Sequence, residues 1–253
     1  MAMFIGIVSH KELNIKPEIG YYPVFVGENA KNLKNMFDAN SAYSDNTGKN
    51  ISEKNPFFSE LTALYWMAKN IENADYKGLV HYRRYFVDRN NEFISSKKIE
   101  SILNEVDIIL PQKVYSRQSV FDTYKRKHNV EDLNIIKHII DTKYPGYSSS
   151  FDKVMNRHSY HSLNMIITKK AIFDNYSEWL FNILFESEKY VQISSDTYQR
   201  RVFGFLSERL LDVWIEKNNY SVNELKVINT EQTNKDRLFQ SSKEKIYKIL
   251  FNE

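Results

Sequence analysis

Cysteine is absent from the 253 residues of this chain. Without thiols the protein forms neither a disulfide framework nor a thiolate-bound zinc site, which is typical of proteins in a reducing compartment. Long apolar runs are absent as well, since no stretch approaches the roughly 20 residues that span a membrane. Residues 1–10 lack the basic flank and the apolar length of a signal peptide. We therefore expect a cytoplasmic protein, attached at most to the inner face of the cell membrane.

A large excess of charge of one sign is also missing. The chain has 35 basic and 32 acidic residues and a formal net charge of +3, which is too small by itself to indicate nucleic acid. Aromatic residues, by contrast, reach 14%, with 17 Tyr and 16 Phe. Tyrosine-rich surfaces suit sugars and nucleobases, although aromatic side chains also fill cores. We expect no nucleic-acid partner.

Several motifs of established chemistry are missing too. The chain has no Gly-x-Gly-x-x-Gly, no Walker-type phosphate loop, no His-Glu-x-x-His and no Gly-x-Ser-x-Gly. His158 and His161 lie three residues apart and could share a helix face as metal ligands. Because no carboxylate stands at ligand spacing beside them, a structural role is favoured over a metal site.

Short apolar segments typical of strands alternate along the chain with longer segments that have helical spacing of apolar residues. Strands are predicted at residues 4–8, 21–27, 78–80, 107–111 and 163–168, and helices at 59–70 (capped by Ser59), 95–103, 119–144, 170–188, 200–219 and 243–251. This alternation predicts an α/β fold: a mixed, mostly parallel sheet flanked by helices, with a helical C-terminal part. Neither an internal repeat nor a linker is visible, so we expect a single domain over residues 1–253.

A cationic and aromatic cluster directly follows the predicted strand at 78–80. It consists of His81, Tyr82, Arg83, Arg84 and Tyr85. Ligands of open α/β sheets bind outside the carboxyl ends of strands, and guanidinium groups match phosphate geometry well. The cluster therefore predicts an anion site. The alternative is a solvated basic turn with aromatic packing, in which Arg84 is a structural ion-pair partner.

Five segments in order carry a resemblance to a known family. The chain resembles the DUF4422 family of bacterial capsule and O-antigen glycosyltransferases, from about residue 4 to 214, through the motifs 22–27 YPVFVG, 45–52 DNTGKNIS, 60–66 ELTALYW, 78–86 GLVHYRRYF and 201–210 RVFGFLSERL. The resemblance implies a GT-A-like fold and transfer of a sugar from a nucleotide donor. Some members are similar to galactofuranosyltransferases, so UDP-galactofuranose is one donor to consider.

Glycosyl transfer requires charge compensation on the departing diphosphate. Many GT-A enzymes supply it with a metal ion held by Asp-x-Asp, a motif that occurs nowhere in this chain. We expect Arg83 and Arg84, together with His81, to replace the metal, so no cofactor is expected, and dependence on a divalent metal is left open. Arg200 and Arg201 could also reach the diphosphate.

For inversion, a base must deprotonate the acceptor hydroxyl. Glu208, early in an apolar helix and after Gly204, is the first candidate, and Asp196 in a preceding loop is the second. The alternative for Glu208 is a salt-bridged helix glutamate. Further candidates for donor binding are His10, Lys11, Asp45, Asn46 and Asn50. Glu60 and Tyr82 are candidates for acceptor binding or a structural role. Turn formation would equally explain the residues at 45–50, and the helix dipole would explain Glu60.

The favoured function is an inverting hexosyltransferase that uses a UDP-sugar donor and a glycan acceptor. A lipid-linked acceptor would bring the basic helices near residues 119–144 and the C-terminal end towards an anionic membrane. The rival functions are a non-catalytic module that binds glycan or nucleic acid and a sugar-phosphate transferase of the same pathway. The donor sugar, the linkage, the acceptor, the choice between inversion and retention, and the oligomeric state do not follow from the sequence.

Overall fold

The computed structural model describes residues 2–13, 17–38 and 40–232. The strands of this part of the chain are β1 Met3–Ser9, β2 Tyr21–Phe25, β3 Tyr43–Ser44, β4 Tyr76–His81, β5 Arg84–Val87, β6 Ile108–Pro111, β7 Val114–Tyr115, β8 Ser159–Tyr160, β9 Ile166–Lys169 and β10 Val222–Asn229. Its α-helices are α1 Ala30–Lys34, α2 Asn55–Phe58, α3 Leu61–Asn70, α4 Ser96–Leu103, α5 Val120–Lys127, α6 Val130–Lys143, α7 Ser148–Met155, α8 Lys170–Ser187 and α9 Val202–Asn218.

Eight strands form one mixed sheet in the order β3-β2-β1-β4-β5-β10-β6-β9. Because β9 also pairs with β4, the strands from β4 to β9 close into a ring, and β1 to β3 extend from it as a parallel wing. The expected α/β class is confirmed. The expectation of a mostly parallel sheet was wrong, because four of its strand pairs are parallel and four antiparallel.

Both faces of the central strands are covered. Successive residues of a strand point to opposite faces, and in β1 the side chains of Phe4 and Val8 enter one hydrophobic cluster while Ile5 and Ile7 enter another. The first cluster contains buried residues of α3, α8 and α9, and the second contains those of α4. A sheet buried in this way explains the continuous apolar run of β1.

Several element predictions need correction. Ser59 does not cap α3; the N-cap residue is Glu60, and Ser59 has a φ of +51° and a ψ of −131°. The segment 119–144, expected to be mostly helical, consists of two helices, α5 and α6, separated at His128 and Asn129. Strands β5 and β10 were not expected at all. The helix predicted at 243–251 lies outside the described residues, and the single domain stays a prediction.

Among the helices that the structure describes, none is long and apolar enough to cross a membrane.

Candidate functional site

The cationic cluster lies on a tight hairpin where two parallel strands end. Strand β4 ends at His81, Tyr82 and Arg83 form the turn, and β5 begins at Arg84, which pairs with His81. The neighbouring parallel strand β1 ends beside it, with Val8 opposite His81. The cluster therefore sits at the carboxyl ends of adjacent parallel strands, as expected, although it is a hairpin turn and not an open strand end.

A cleft of about 540 Å³ opens at this edge of the sheet. The hairpin and the end of β1 form one side of it. The junction between α2 and α3, residues 197–201 and the first turns of α9 form the rest. Its charged and imidazole side chains are His10, Glu60, His81, Arg83, Arg84, Arg200, Arg201 and Glu208. Segments that are distant in sequence thus bring four arginines and two carboxylates into one cavity.

The arginines of the cleft differ in their partners. Arg83 donates through Nη1 to Glu231 Oε2 at 2.8 Å. The guanidinium of Arg201 lies 4.7 Å from the ring centroid of Tyr198, a cation–π contact. Arg84 is half-buried and makes neither a hydrogen bond nor an ion pair with its side chain to any described residue. Burial, together with the positive charge of Arg83, lowers the pKa of Arg84. An incoming anion would relieve that repulsion.

Tyr82 lies among three basic side chains at the mouth of the cleft. The Nζ of Lys11 is 4.7 Å from its ring centroid, the guanidinium carbon of Arg83 is 5.4 Å away, and the His10 ring packs edge-on at 5.2 Å. Burial and the neighbouring charges of Lys11 and Arg83 lower the pKa of His10. Lys11 itself binds Glu231 at 2.8 Å. The predicted donor-binding residues His10 and Lys11 therefore flank the arginine turn.

His81 is tied to the backbone at this end of the cleft. Its Nε2 lies 2.6 Å from the carbonyl oxygen of Leu163. Burial lowers the pKa of His81 below the ordinary 6.5, against the opposing charge of Glu60. A neutral ring that donates from Nε2 keeps Nδ1 as an acceptor. The arginines carry the permanent positive charge at this end of the cleft, and a part for His81 in diphosphate binding stays a prediction.

The two carboxylates of the cleft are held differently. Glu208 accepts from the backbone N–H of Leu163 at 2.9 Å and from Arg209 Nη1 at 2.7 Å, so each of its oxygens has a donor. Glu60 accepts from Asn164 Nδ2 at 2.6 Å through Oε1. Its Oε2 has no hydrogen-bond partner within the described ranges. Glu60 is therefore the carboxylate with a free oxygen.

A strained stretch of backbone connects these groups. Leu163 has a φ of +80° and Asn164 of +51°, in the left-handed region that a leucine rarely adopts. In this conformation the N–H of Leu163 reaches Glu208 and its C=O reaches His81. Such strain, which persists only when surrounding contacts hold it, clusters at functional sites. Asn164 hints at a left-handed residue, but nothing in the sequence distinguishes Leu163.

The structure does not bring all predicted site residues to the cleft. Asp45 is fully buried, burial raises its pKa, and its Oδ1 accepts from Ser52 Oγ at 3.0 Å. Asn46 and Asn50 are exposed and bond within their own turn, to Ser44 and Gly48. None of the three lines the cleft. Their contacts match the turn-forming alternative, and donor binding by them stays a prediction.

Asp196, the second candidate base, is exposed and does not line the cleft. Its Oδ1 accepts from the backbone N–H groups of Tyr198 and Gln199 at 2.9 and 2.8 Å. It therefore shapes the loop that delivers Tyr198 to the cleft. Tyr198, Phe205, Asn55 and Ser59 line the cleft and were not predicted, because they come from segments that only the tertiary structure joins.

Of the two histidines at 158 and 161, His161 is held between two carboxylates. His161 is buried, and its Nδ1 lies 2.5 Å from Asp212 Oδ1 and its Nε2 3.4 Å from Glu224 Oε1. Burial alone would lower the pKa of His161, but the two carboxylates raise it to about 9. Within the described part of the chain, no group of three His, Asp or Glu side chains could hold a metal ion.

Fold and cleft together define a mixed α/β protein with an arginine-rich cleft at the carboxyl ends of its parallel strands β1 and β4. The chain belongs to the family described as a domain of unknown function, DUF4422, whose model matches residues 4–219. A solved structure described as the apo form of the bifunctional glycosyltransferase WbbM is similar, with a TM-score of 0.80 and 28% identity over 92% of this chain. The chain spans about half, 46%, of that protein. No curated protein matches the chain.

Proposed function

We propose that this protein is a glycosyltransferase of GT-A type that moves a hexosyl unit from a UDP-sugar to a glycan acceptor. The observation that carries the proposal is the cleft at the carboxyl ends of β1 and β4. Arginines without an ion pair, and a carboxylate oxygen without a hydrogen-bond partner, meet there among the described residues. The similarity to a glycosyltransferase structure over 92% of the chain supports it.

The arginines compensate the charge that develops on the leaving diphosphate. When the bond between the sugar carbon and the phosphate oxygen breaks, UDP leaves with additional negative charge. Arg84 has no side-chain partner within the described ranges, and Arg200 and Arg201 line the facing part of the same cleft. Guanidinium groups held in a partly desolvated cleft stabilise such charge strongly. This arrangement supports transfer without a metal ion.

A carboxylate accepts the proton of the acceptor hydroxyl while the oxygen of that hydroxyl attacks the sugar carbon. Because the attack comes from the side opposite the leaving UDP, the configuration at the sugar carbon is inverted. Glu60 has an oxygen without a partner among the described residues, and Glu208 is held by Leu163 and Arg209. Both line the cleft. We assign Glu60 as the first candidate for the base and keep Glu208, the residue that the sequence favours, as the second.

The finer parts of the proposal come from the resemblance to the family. They are galactofuranose as the transferred sugar, a capsular or O-antigen polysaccharide as the product, a lipid-linked acceptor, and contact with the inner face of the membrane. The basic residues of α5, including Arg126 and Lys127, support an anionic acceptor or surface.

The experiment is a melting-temperature screen of the full chain with UDP-, GDP- and dTDP-sugars, followed by product analysis. We expect UDP-sugars to raise the melting temperature by mass action. We expect slow release of UDP from a hydrolysable donor, with activity retained in excess EDTA. Release of UMP would indicate a sugar-phosphate transferase. Binding of RNA without any binding of UDP would indicate a non-catalytic module. Complete loss of activity in EDTA, restored by manganese, would refute the metal-free mechanism.

A further inference from the structure

A second cavity, of about 530 Å³, lies between β7, β8 and the C-terminal end of α5. Three cationic side chains line it, those of Arg117, Arg126 and Lys127. Its lining includes no carboxylate from the described part of the chain, and the other side chains are mostly hydroxylic, amide or aromatic. We call this cavity the basic pocket.

The helix dipole explains only part of this charge. Lys125, Arg126 and Lys127 occupy the last turn of α5, where cations complement the negative end of a helix. Arg117 does not belong to that turn. It comes from the loop after β7 and lines the same cavity. Two separate segments therefore place positive charge around one concave space, whereas a solvated basic face requires no cavity.

The distribution of arginines without an ion pair also points to the basic pocket. Of the nine arginines that the structure describes, three form ion pairs within the described ranges: Arg83, Arg157 and Arg209. Five of the remaining six line a cavity: Arg84, Arg200 and Arg201 the cleft, and Arg117 and Arg126 the basic pocket. The sixth, Arg89, is exposed elsewhere. Among the described residues, the guanidinium groups that form no ion pair are thus concentrated in the cleft and the basic pocket.

One buried side chain separates the basic pocket from the cleft. Arg209 is 2% exposed. Its Nη1 donates to Glu208 of the cleft at 2.7 Å, and its Nη2 donates to the hydroxyl of Tyr160 at 3.4 Å. Tyr160 lines the basic pocket, and the guanidinium carbon of Arg209 lies 4.5 Å from the centroid of its ring. One guanidinium thus contacts a lining residue of each cavity.

We propose that the basic pocket binds a phosphate or pyrophosphate group carried by the acceptor, while the cleft holds the diphosphate of the donor. The binding of an anion is inferred from the cavity itself. The identification of that anion as part of the acceptor rests on the proposed function. Guanidinium groups recognise phosphate by paired hydrogen bonds. The hydroxyls of Ser116 and Thr123, 3.2 Å apart, add one further donor, because one of the two already donates to the other. The phosphate group belongs either to a lipid carrier or to a soluble phosphorylated glycan.

The first test titrates inorganic pyrophosphate into the full chain by calorimetry, with saturating UDP present to occupy the cleft. We expect the wild type to bind pyrophosphate under these conditions. The double variant Arg117→Ala/Arg126→Ala should bind it at least tenfold more weakly. Lys125→Ala is the matched control, because it removes a cation from the same helix turn but does not line the pocket. It should bind as the wild type does.

A second variant separates this proposal from the proposed function. Arg84→Ala should lose UDP binding but keep the pyrophosphate site that the double variant loses. If the wild type binds no UDP and the double variant still loses a pyrophosphate site, the anion site stands and its role in acceptor binding fails. Absence of pyrophosphate binding in the presence of UDP, or equal binding by the wild type and a double variant that melts as the wild type does, would overturn the proposal.

The source of the phosphate is resolved with farnesyl diphosphate, which carries the same head group on an apolar chain. Binding at least tenfold tighter than that of inorganic pyrophosphate, lost in the double variant, assigns the pocket to a lipid carrier. Equal affinities, both lost in the double variant, assign it to a soluble phosphorylated acceptor.

Discussion

Glu231 accepts a hydrogen bond from Arg83 at 2.8 Å at the mouth of the cleft. Lys11 donates to the other oxygen of the same carboxylate at 2.8 Å. The hydrogen bond from Lys11, and then that from Arg83, lower the pKa of Glu231 to about 2, so its charge is present at any working pH. The carboxylate of Glu231 thus pairs with two cations that the proposed phosphorylated donor would otherwise contact.

The first prediction follows from this competition. Glu231→Ala should bind UDP about two- to fivefold more tightly, a modest gain because exposed charges interact weakly in water. Calorimetry at low salt measures it. Glu105→Ala, which removes the same charge from an exposed position outside the cleft, should change nothing. Weaker binding by Glu231→Ala would mean that the carboxylate holds Arg83 in place for the donor.

The second prediction concerns Arg84. Removing a charge-assisted hydrogen bond to phosphate costs about 1.5–3 kcal/mol, so Arg84→Ala should weaken UDP binding about 10- to 150-fold. The chain should remain folded, because Arg84 has no side-chain partner within the described ranges to leave unsatisfied. Arg89→Ala removes an exposed arginine near the same hairpin and serves as the control. Equal UDP affinities of the two variants would show that Arg84 does not contact the diphosphate.

The third prediction compares the two carboxylates of the cleft. Glu60→Gln should lower the rate of sugar transfer or donor hydrolysis about 10²- to 10⁴-fold, the range for a general base, with the Kd of UDP unchanged. Glu208→Gln removes the partner of buried Arg209. It should destabilise the protein by about 3 kcal/mol and lower the melting temperature by about 6–12 °C.

The catalytic effect is measured as the reaction rate at matched donor saturation, and the effect on stability is measured by thermal melting curves. A catalytic loss confined to Glu208→Gln, with the melting temperature of the wild type, would assign the base to Glu208 and withdraw Glu60.

The fourth prediction concerns pH. The carboxylates of Asp212 and Glu224 outweigh burial and raise the pKa of His161 to about 9 in the folded protein, from about 6.5 when unfolded. The folded state therefore holds this proton more tightly. The stability that results is complete below pH 6.5 and is lost as the pH rises towards 9. The free-energy difference between wild type and His161→Gln should shrink by about 3 kcal/mol across that window.

Urea unfolding of both proteins at pH 6, 7.5 and 9 checks this change. A difference in stability that stays constant over the three pH values would show that His161 does not carry the proton.

The fifth prediction tests the strain at Ser59. Its φ of +51° and ψ of −131° suit glycine, and its side chain makes no hydrogen bond within the described ranges. Ser59→Gly should stabilise the fold by about 1 kcal/mol and raise the melting temperature by about 2–4 °C. The same substitution at Ser101, an exposed position in α4, should lower stability, because glycine costs about 0.5–1 kcal/mol in a helix. A lower melting temperature for Ser59→Gly would show that Ser59 is not strained.

Local patterns predicted the elements that carry strong periodicity or clear ends. The apolar run of β1 and the long amphipathic helices α8 and α9 form close to where the sequence places them. Ser95 and Ser96 are both suitable caps for the helix predicted at 95–103, and Ser95 caps α4 by accepting from the backbone N–H of Lys98. Strand β5 was missed because the charged and aromatic residues from His81 to Phe86 show no apolar alternation. This pattern does not indicate that a turn is followed by a strand. Strand β10 was missed because none of its residues is buried, so its sequence shows no clear alternation of apolar and polar residues.

The family, the α/β class and the cationic residues at the end of β4 were determined by the sequence, because they depend on residue types and local order along the chain. The location of the cleft was decided only by the tertiary structure. There the backbone of Leu163, with its unusual left-handed conformation, joins Glu208 to His81. Contacts of this kind depend on the three-dimensional closure of β4 with β9 and on helix packing, so no local pattern encodes them.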